Sequence, residues 1–287
     1  MERLVQIHFL LFLFTFATTT VAGALQQGVN PFASPGDVWR GLPFSLTLLL
    51  ILGAHEFGHW WMAKRHRMRV TLPYFISAPS LIGTFGAFIK MQSPILDRRT
   101  LLDIGVAGPF AGLIVAVPIL FAGLALSQVR PTAGVEGIAL GSSLLFSFAA
   151  WIIHGVLPDT IDLVLHPVAF SGWIGLLVTC LNLLPVDQLD GGYVAYALFG
   201  ARQRPMAFII VALLAGLGIF GWNGWLLWAG ILLVMGFRHP PVIYDSDSPG
   251  RTAAHHRMAC PGDLRFDLLA GAVRVGHVIR IYSCLYS

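Results

Sequence analysis

The sequence predicts an all-α polytopic membrane protein with about six transmembrane helices and a re-entrant membrane hairpin. Of its 287 residues, 56% are hydrophobic and only 11% are charged, with a mean hydropathy of +0.75. A soluble domain carries about 25% charged residues. Apolar runs of about twenty residues, the length that crosses a bilayer, recur along the chain, and basic residues follow several of them.

The composition excludes several other classes of protein. The formal net charge of +4 comes from basic residues beside apolar spans, with no recognition motif, so we expect no nucleic-acid partner. The three cysteines have neither CxxC nor Cys/His ligand spacing, which argues against a disulfide framework or a cysteine metal site.

The first apolar run covers residues 7–25 and follows a short charged start. It fits either a cleaved signal peptide or a retained first helix. We favour a retained helix because the later spans then alternate consistently across the membrane. Residues 41–63 form the second span, which ends at a basic stretch, residues 64–69.

Residues 72–91 are apolar but broken by prolines and glycines, which makes a straight lipid-facing helix a poor fit. We predict a re-entrant hairpin there, a structure that membranes tolerate only where protein covers the backbone. Residues 101–126 form the third span. Three glycines give it a small face for close helix contact: Gly105, Gly108 and Gly112.

The second half of the chain is less regular. Residues 137–157 fit an interfacial or partly buried helix, and residues 167–184 are a fourth clear span. Residues 206–236 are too long for one helix, so we predict two short spans joined by a turn at residues 221–224. Residues 1–240 then form one transmembrane domain. Residues 241–287 are a polar tail, either disordered or a mispredicted protein sequence.

The basic residues orient these spans. With Arg3 in the cytoplasm, Arg40 and Arg130 fall outside, whereas Lys90 lies in the hairpin. This distribution follows the positive-inside rule and explains the basic composition. The residues on the cytoplasmic side are Arg3, Lys64, Arg65, Arg67, Arg69, Arg98, Arg99, Arg202, Arg204 and Arg238.

The second span contains the sequence His55-Glu56-Phe57-Gly58-His59. Histidines four residues apart lie on one face of a helix, where both rings can bind one Zn²⁺. The intervening Glu56 suits a general base that activates water. Ionisable residues are costly inside a membrane span, so such a cluster indicates function.

A catalytic zinc needs a third protein ligand. The acidic residues near spans are Asp103, Asp187 and Asp190. In the charge-derived topology, Asp190 and the histidine motif both fall toward the cytoplasmic ends of their spans, at similar depth, which favours Asp190. Asp187 remains the alternative ligand. A carboxylate at Asp103 instead fits the positive end of the third helix.

The HEFGH motif, followed at this distance by NLLPVDQLDGG at residues 182–192, resembles the site-2 protease family of intramembrane zinc metalloproteases. Residues 83–87 and 108–112 are also similar to that family. The sequence has no room for a PDZ or CBS module, so the resemblance is to a short form. Tyr193 follows the LDGG sequence where short homologues often have His.

The resemblance implies a set of roles. One Zn²⁺ per chain would be bound by His55, His59 and Asp190, with Glu56 as catalytic base. Asn182 would position the substrate or stabilise the oxyanion, and the hairpin at 72–91 would pair with an unwound substrate. The expected partners are a transmembrane protein substrate and the lipid bilayer. The expected location is a bacterial inner membrane, with the site toward the cytoplasm.

Two other functions compete with this one. A membrane transporter or proton relay could use the same His, Glu and Asp cluster, but it would usually show inverted repeats, and we find none. A catalytically silent scaffold is disfavoured because every element of the metal chemistry is present, including the base.

Overall fold

The computed structural model describes residues 2–235, apart from 32, 96, 132–137, 142, 159 and 187, and residues 279–281. Most of these residues are helical. The helices are α1 (Glu2–Gln26), α2 (Leu42–Arg65), α3 (Arg98–Ala125), α4 (Leu144–His154), α5 (Pro167–Asn182), α6 (Asp190–Phe199), α7 (Gln203–Phe220) and α8 (Gly224–Met235). The strands are β1 (Tyr74–Ser77), β2 (Thr84–Phe88), β3 (Gln128–Pro131), β4 (Ile138–Leu140), β5 (Ile161–Val164) and β6 (Ile279–Ile281). Short 3₁₀ helices occupy Pro35–Gly41 and Gly200–Arg202.

Helix α3 is at the centre of the molecule and contacts α2, α4, α5 and α6. Asp97 caps its first turn, because Asp97 Oδ1 accepts a hydrogen bond of 2.8 Å from the backbone N–H of Thr100. The same bond lowers the pKa of the Asp97 carboxyl below its ordinary value. Helices α2 and α5 also contact each other, so the main bundle consists of α2, α3, α5 and α6.

The segment predicted as a hairpin is an antiparallel β-hairpin, in which Tyr74 pairs with Phe88 and Ile76 with Gly86. The turn between its strands contains Gly83 with φ +80°, and Gly86 has φ +102°. Glycine adopts such values without the steric cost that other residues pay. The glycines that argued against a straight helix therefore shape this hairpin.

Helix α1 packs along β1 and holds the hairpin by polar contacts. Thr18 Oγ1 donates a 2.7 Å hydrogen bond to the carbonyl of Gly83, and Gln26 Nε2 donates one of 2.8 Å to Leu81. At the other end of β1, a ring nitrogen of His8 lies 3.1 Å from the carbonyl oxygen of Pro73. These bonds satisfy backbone carbonyls that would be costly to leave unpaired in lipid.

Four helical segments are long and apolar enough to cross a membrane: Val5–Gln26, Pro35–Arg65, Arg98–Ala125 and Asp190–Phe220. The chain is therefore mostly helical, with four candidate membrane spans among its described residues. Helices α5 and α8 are apolar but shorter, with 16 and 12 residues. At 1.5 Å per residue, α5 is only about 24 Å long. The predicted total of six spans thus depends on these two short helices.

Outside the bundle, a small sheet has the strand order β3-β5-β6-β4. The interfacial helix expected at 137–157 is shorter than predicted, because the chain forms β4 before α4 begins at Leu144. The expected break at 221–224 lies between α7 and α8. The predicted tail falls outside the described residues, apart from β6.

Replacing Gly83 by alanine should destabilise the protein. The added Cβ would lie 2.5 Å from the carbonyl oxygen of Thr18, in a backbone conformation that L-residues rarely adopt. We expect a loss of about 1–3 kcal/mol, measured from unfolding in detergent micelles. The control is Gly216→Ala in α7, where an added Cβ meets nothing within 4 Å. Equal stability of the two variants would contradict the tight contact between α1 and the hairpin.

Candidate metal centre

His55 and His59 lie one turn apart on α2 and are both buried. Their Nε2 atoms are 3.1 Å apart. His59 Nδ1 lies 2.8 Å from the carbonyl oxygen of Ile104 on α3. Since a carbonyl can only accept, this nitrogen carries the proton and donates it, which leaves the lone pair on His59 Nε2. Metal-binding histidines are oriented in the same way by a second hydrogen bond.

Glycines allow α3 to approach this face of α2 closely. A Cβ at Gly108 would collide with the imidazole of His59, and one at Gly112 would lie 3.3 Å from the Cβ of His55. On the α2 side, a Cβ at Gly58 would lie 2.8 Å from the Cβ of Ala111. Two glycines of the small face predicted on the third span, Gly108 and Gly112, therefore pack against the histidine helix, whereas Gly105 faces Tyr193 on α6.

Asp190 is the first residue of α6 rather than part of the preceding span. The turn before it is tight, because a Cβ at Gly191 would collide with the carbonyl of Leu183. Asp190 is buried, with Oδ2 3.1 Å from His55 Nε2 and Oδ1 3.1 Å from His59 Nε2. The structure thus brings three predicted ligands together, whereas Asp187 lies outside the described residues.

This set of atoms, which we call the His–Asp cluster, fits a zinc ion. The three ligand atoms all lie within 4.8 Å of one another. Two atoms that each lie 2.0–2.1 Å from one tetrahedral zinc are about 3.4 Å apart, close to the distances observed here. Within the described part of the chain, buried Asp190 Oδ2 has no well-oriented hydrogen-bond donor. A shared cation would satisfy it and offset the crowding of electron-rich atoms.

The carboxylate of Glu56 is buried beside this cluster and accepts a hydrogen bond from the backbone N–H of Ile89, just after β2. Asn182 ends α5, and its Nδ2 lies 3.5 Å from His55 Nε2. Asn182 and Glu56 both line a cavity of about 580 Å³ that also contains the His–Asp cluster. We call this cavity the cleft.

One wall of the cleft comes from the hairpin, through Ile76, Phe85 and Phe88. Sequence analysis placed the hairpin near the site, but it missed the backbone groups that organise it. Neither the Ile104 carbonyl nor the Ile89 N–H has a side-chain signature, so no sequence pattern marks them. Gly108 is the sequence feature that could have indicated the contact between His59 and the Ile104 carbonyl, because it allows α3 to approach His59 closely.

Asp103 does not join the His–Asp cluster. Its Oδ2 lies 2.9 Å from His66 Nε2, at the residue that caps the end of α2. Thr100 Oγ1 lies 3.3 Å from the other ring nitrogen of His66. The pair therefore connects the end of α2 to the second turn of α3, so Asp103 does not lie in the first turn, where the helix dipole was expected to favour it.

Comparison with known proteins gives one family. The model of the family described as Peptidase family M50 matches residues 43–220. The chain is 33% identical over 198 residues to the "Probable zinc metalloprotease EGY1, chloroplastic" of Arabidopsis thaliana, across 67% of this chain and 36% of that protein. It is 29% identical over 195 residues to the "Probable zinc metalloprotease EGY2, chloroplastic" of the same plant, across 66% of this chain and 34% of that protein.

A third relative is the "Probable zinc metalloprotease EGY1, chloroplastic" of Oryza sativa subsp. japonica. The identity is 31% over 206 residues, across 69% of this chain and 35% of that protein. The chain therefore spans about a third of the length of the curated relatives it matches.

Replacing Asp190 by alanine should remove bound zinc, because the two imidazoles would lose the third ligand atom of the cluster. Loss of a residue that hydrogen-bonds to a metal ligand typically weakens metal affinity 10–100-fold, and loss of a ligand itself should weaken it by at least as much. Zinc per chain, measured by elemental analysis of purified protein, checks this. Asp187→Ala is the matched control and should retain zinc. Zinc loss in the Asp187 variant alone would assign the third ligand to Asp187.

Proposed function

The chain belongs to Peptidase family M50, the site-2 protease family, and on that basis we propose that it is an intramembrane zinc metalloendopeptidase. It would hydrolyse peptide bonds within or near transmembrane segments of membrane proteins, as in regulated intramembrane proteolysis. The observation that carries the proposal is the buried His–Asp cluster with Glu56 beside it. The two histidines and Glu56 lie in a helix that is long and apolar enough to cross a bilayer.

We assign His55, His59 and Asp190 as ligands of one zinc ion per chain. Zinc, when bound, would supply a Lewis acid that lowers the pKa of water and polarises the scissile carbonyl. The ring of His59 is held for this role by the Ile104 carbonyl, and Gly108 leaves room for it. Burial between helices keeps these side chains out of lipid.

Glu56 is the proposed general base. The N–H of Ile89 holds its carboxylate at the wall of the cleft, where it can take a proton from the attacking water. The same carboxylate can then return the proton to the leaving amide nitrogen. Asn182 Nδ2, an N–H donor 3.5 Å from His55 Nε2, would stabilise the negative oxygen that develops on the carbonyl.

The hairpin is the proposed site of substrate pairing. Both backbone groups of Lys90 face Thr71: its carbonyl accepts from Thr71 N–H at 3.1 Å, and its N–H donates to Thr71 Oγ1 at 3.0 Å. Strand residues alternate in direction, so the backbone groups of Ile89 and Ala87 point the opposite way. We call this side of the strand the cleft edge, since Ile89 there meets Glu56.

An unwound substrate could add as a strand at the cleft edge and regain the backbone hydrogen bonds that it loses from its own helix. In the described part of the chain, β2 pairs only with β1, which leaves this edge available. The apolar side chains of Ile76, Phe85 and Phe88 would limit the entry of water around the bound segment.

The arrangement in the membrane is also proposed. We assign α5 and α8 as two short spans in addition to the four long ones, and the hairpin as re-entrant. Lys64 and Arg65 end α2 shortly after His59, which supports a site toward the positively charged side of the membrane, proposed to be the cytoplasmic side. The location in a bacterial inner membrane has no support from the relatives, whose names are chloroplastic.

Replacing Glu56 by glutamine should abolish peptide cleavage but leave zinc bound. The amide keeps the size of the side chain but cannot accept the proton, and loss of a general base typically costs 10²–10⁴-fold in rate. Cleavage of a transmembrane reporter and zinc content, both measured on purified protein, check this. Asp37→Asn, at an exposed carboxylate remote from the cleft, is the control. A metal-free, inactive wild-type protein would instead favour a transporter or proton relay.

Replacing Ala87 by proline should reduce cleavage of the same reporter by at least about tenfold, without loss of zinc. Proline removes an N–H from the cleft edge, and at an edge position it breaks no bond between β1 and β2. Ala87→Ser keeps the N–H and is the control. Unchanged cleavage by the proline variant would rule out strand addition at this position.

A further inference from the structure

Lys90 is a charged residue of the cleft to which the proposed mechanism assigns no role for its side chain. It lines the cleft together with Glu56 and the His–Asp cluster, and it is exposed. Among the described residues that line the cleft, Lys90 is the one lysine or arginine. No carboxylate in the described part of the chain lies within 4.0 Å of its ammonium group.

The position of Lys90 relative to the reaction is fixed by its neighbour. Ile89 donates its N–H to the catalytic base, and Lys90 follows directly in the chain. The backbone of Lys90 is held by two hydrogen bonds to Thr71, so only its side chain is adjustable. A lysine side chain is a flexible four-carbon stem with a point charge at its end.

We propose that Lys90 selects substrates with an acidic side chain within about three residues of the cleaved bond. The inference rests on the proposed proteolytic function, because it needs a peptide strand at the cleft edge. A strand advances about 3.3 Å per residue. A peptide whose scissile carbonyl lies at Glu56 must therefore pass Lys90 one or a few residues later.

A substrate carboxylate would meet a different charge at each place in the cleft. At the reaction centre, Asp190 and Glu56 would balance the charge of a bound zinc ion, which leaves little net charge to attract it. Beside Lys90 the same carboxylate gains an opposite charge that no described carboxylate neutralises. An acidic lipid headgroup could also bind an exposed lysine. A headgroup would not use the backbone hydrogen-bonding groups of the cleft edge, however, and that edge continues directly into Lys90.

The test compares reporters that differ at one position. Each is a single transmembrane segment with Glu, Gln or Lys placed in turn at the three residues on either side of the cut. The protein is reconstituted in phosphatidylcholine vesicles, and kcat/KM is measured for each reporter. At the best position, wild-type protein should prefer Glu over Lys by about fivefold, as for a partly exposed ion pair, and the preference should fall at high salt.

Charge reversal gives the decisive result. Lys90→Glu should invert the preference, so that the Lys reporter is cleaved faster than the Glu reporter, and Lys90→Gln should bring the ratio near one. Lys64→Glu is the matched control, because Lys64 lies over the Trp60 ring at the end of α2 and not in the cleft. It should keep the wild-type ratio.

Three outcomes would overturn the inference. The ratio could be the same in wild-type and Lys90→Glu proteins, or Lys90→Gln could slow all reporters equally. Thirdly, Lys90→Gln could change kcat/KM only when phosphatidylglycerol is added, and by the same factor for all reporters. That result would assign the lysine to lipid binding.

A binding measurement separates this inference from the proposed function. Kd values of the Glu and Lys reporters for the Glu56→Gln protein, with and without Lys90→Glu, need no turnover. If Lys90→Glu inverts the binding preference between the two reporters but wild-type protein cleaves neither, the proposed proteolytic function is rejected and charge selection by Lys90 is retained. Cleavage with a flat preference in both assays would reject only the role of Lys90.

Discussion

The close approach of α2, α3 and α6 around four ionisable side chains is the constraint on which the rest of the structure depends. Ionisable groups in an apolar bundle cannot rely on water, so they need partners within the protein. His59 donates a hydrogen bond to the Ile104 carbonyl, and the Asp190 oxygens lie 3.1 Å from the two Nε2 atoms, where a shared cation would satisfy them. The helices approach this closely because glycine occupies the contact points between α2 and α3, at positions 58 and 108, and between α3 and α6, at position 105.

The hairpin is tied to this site from both sides. Its free strand meets Glu56 through the N–H of Ile89, and its turn is bound to α1 through Gly83. A wall of the cleft is thus made of backbone whose position depends on two different helices. For the proposed protease, which would bind an unwound segment, a rigid strand beside Glu56 would reduce the ordering cost of productive binding.

Much of the arrangement could be predicted from residues with a distinct chemical signature. His55 and His59 at helical spacing predicted a metal-binding face, and the glycines at 105, 108 and 112 predicted that the third span makes close helix contacts. Similar depth in the charge-derived topology favoured Asp190 as the third ligand and left Asp187 as the alternative. The start of a new helix at Asp190 was not predicted, since the turn before it depends on backbone contacts such as the one that excludes a Cβ from Gly191.

The strands were harder to predict than the helices. The prolines and glycines of 72–91 indicated that the chain turns back, but strand pairing between Tyr74 and Phe88 is a nonlocal contact with no local pattern. The outer sheet was missed for the same reason, because β3 and β5 are short and their paired residues lie 30 to 36 positions apart in the sequence. The helices, by contrast, were predicted from the length of the apolar runs, which is a local property of the sequence.

The contact between α1 and the hairpin also bears on how the protein is made. Synthesis proceeds from the N-terminus, so α1 is complete before residues 74–88 leave the ribosome. When the hairpin reaches the bilayer, the threonine and glutamine side chains that will bind its carbonyls can already be there. A sheet of two strands is marginal alone, and contacts with a helix that is synthesised earlier stabilise this one.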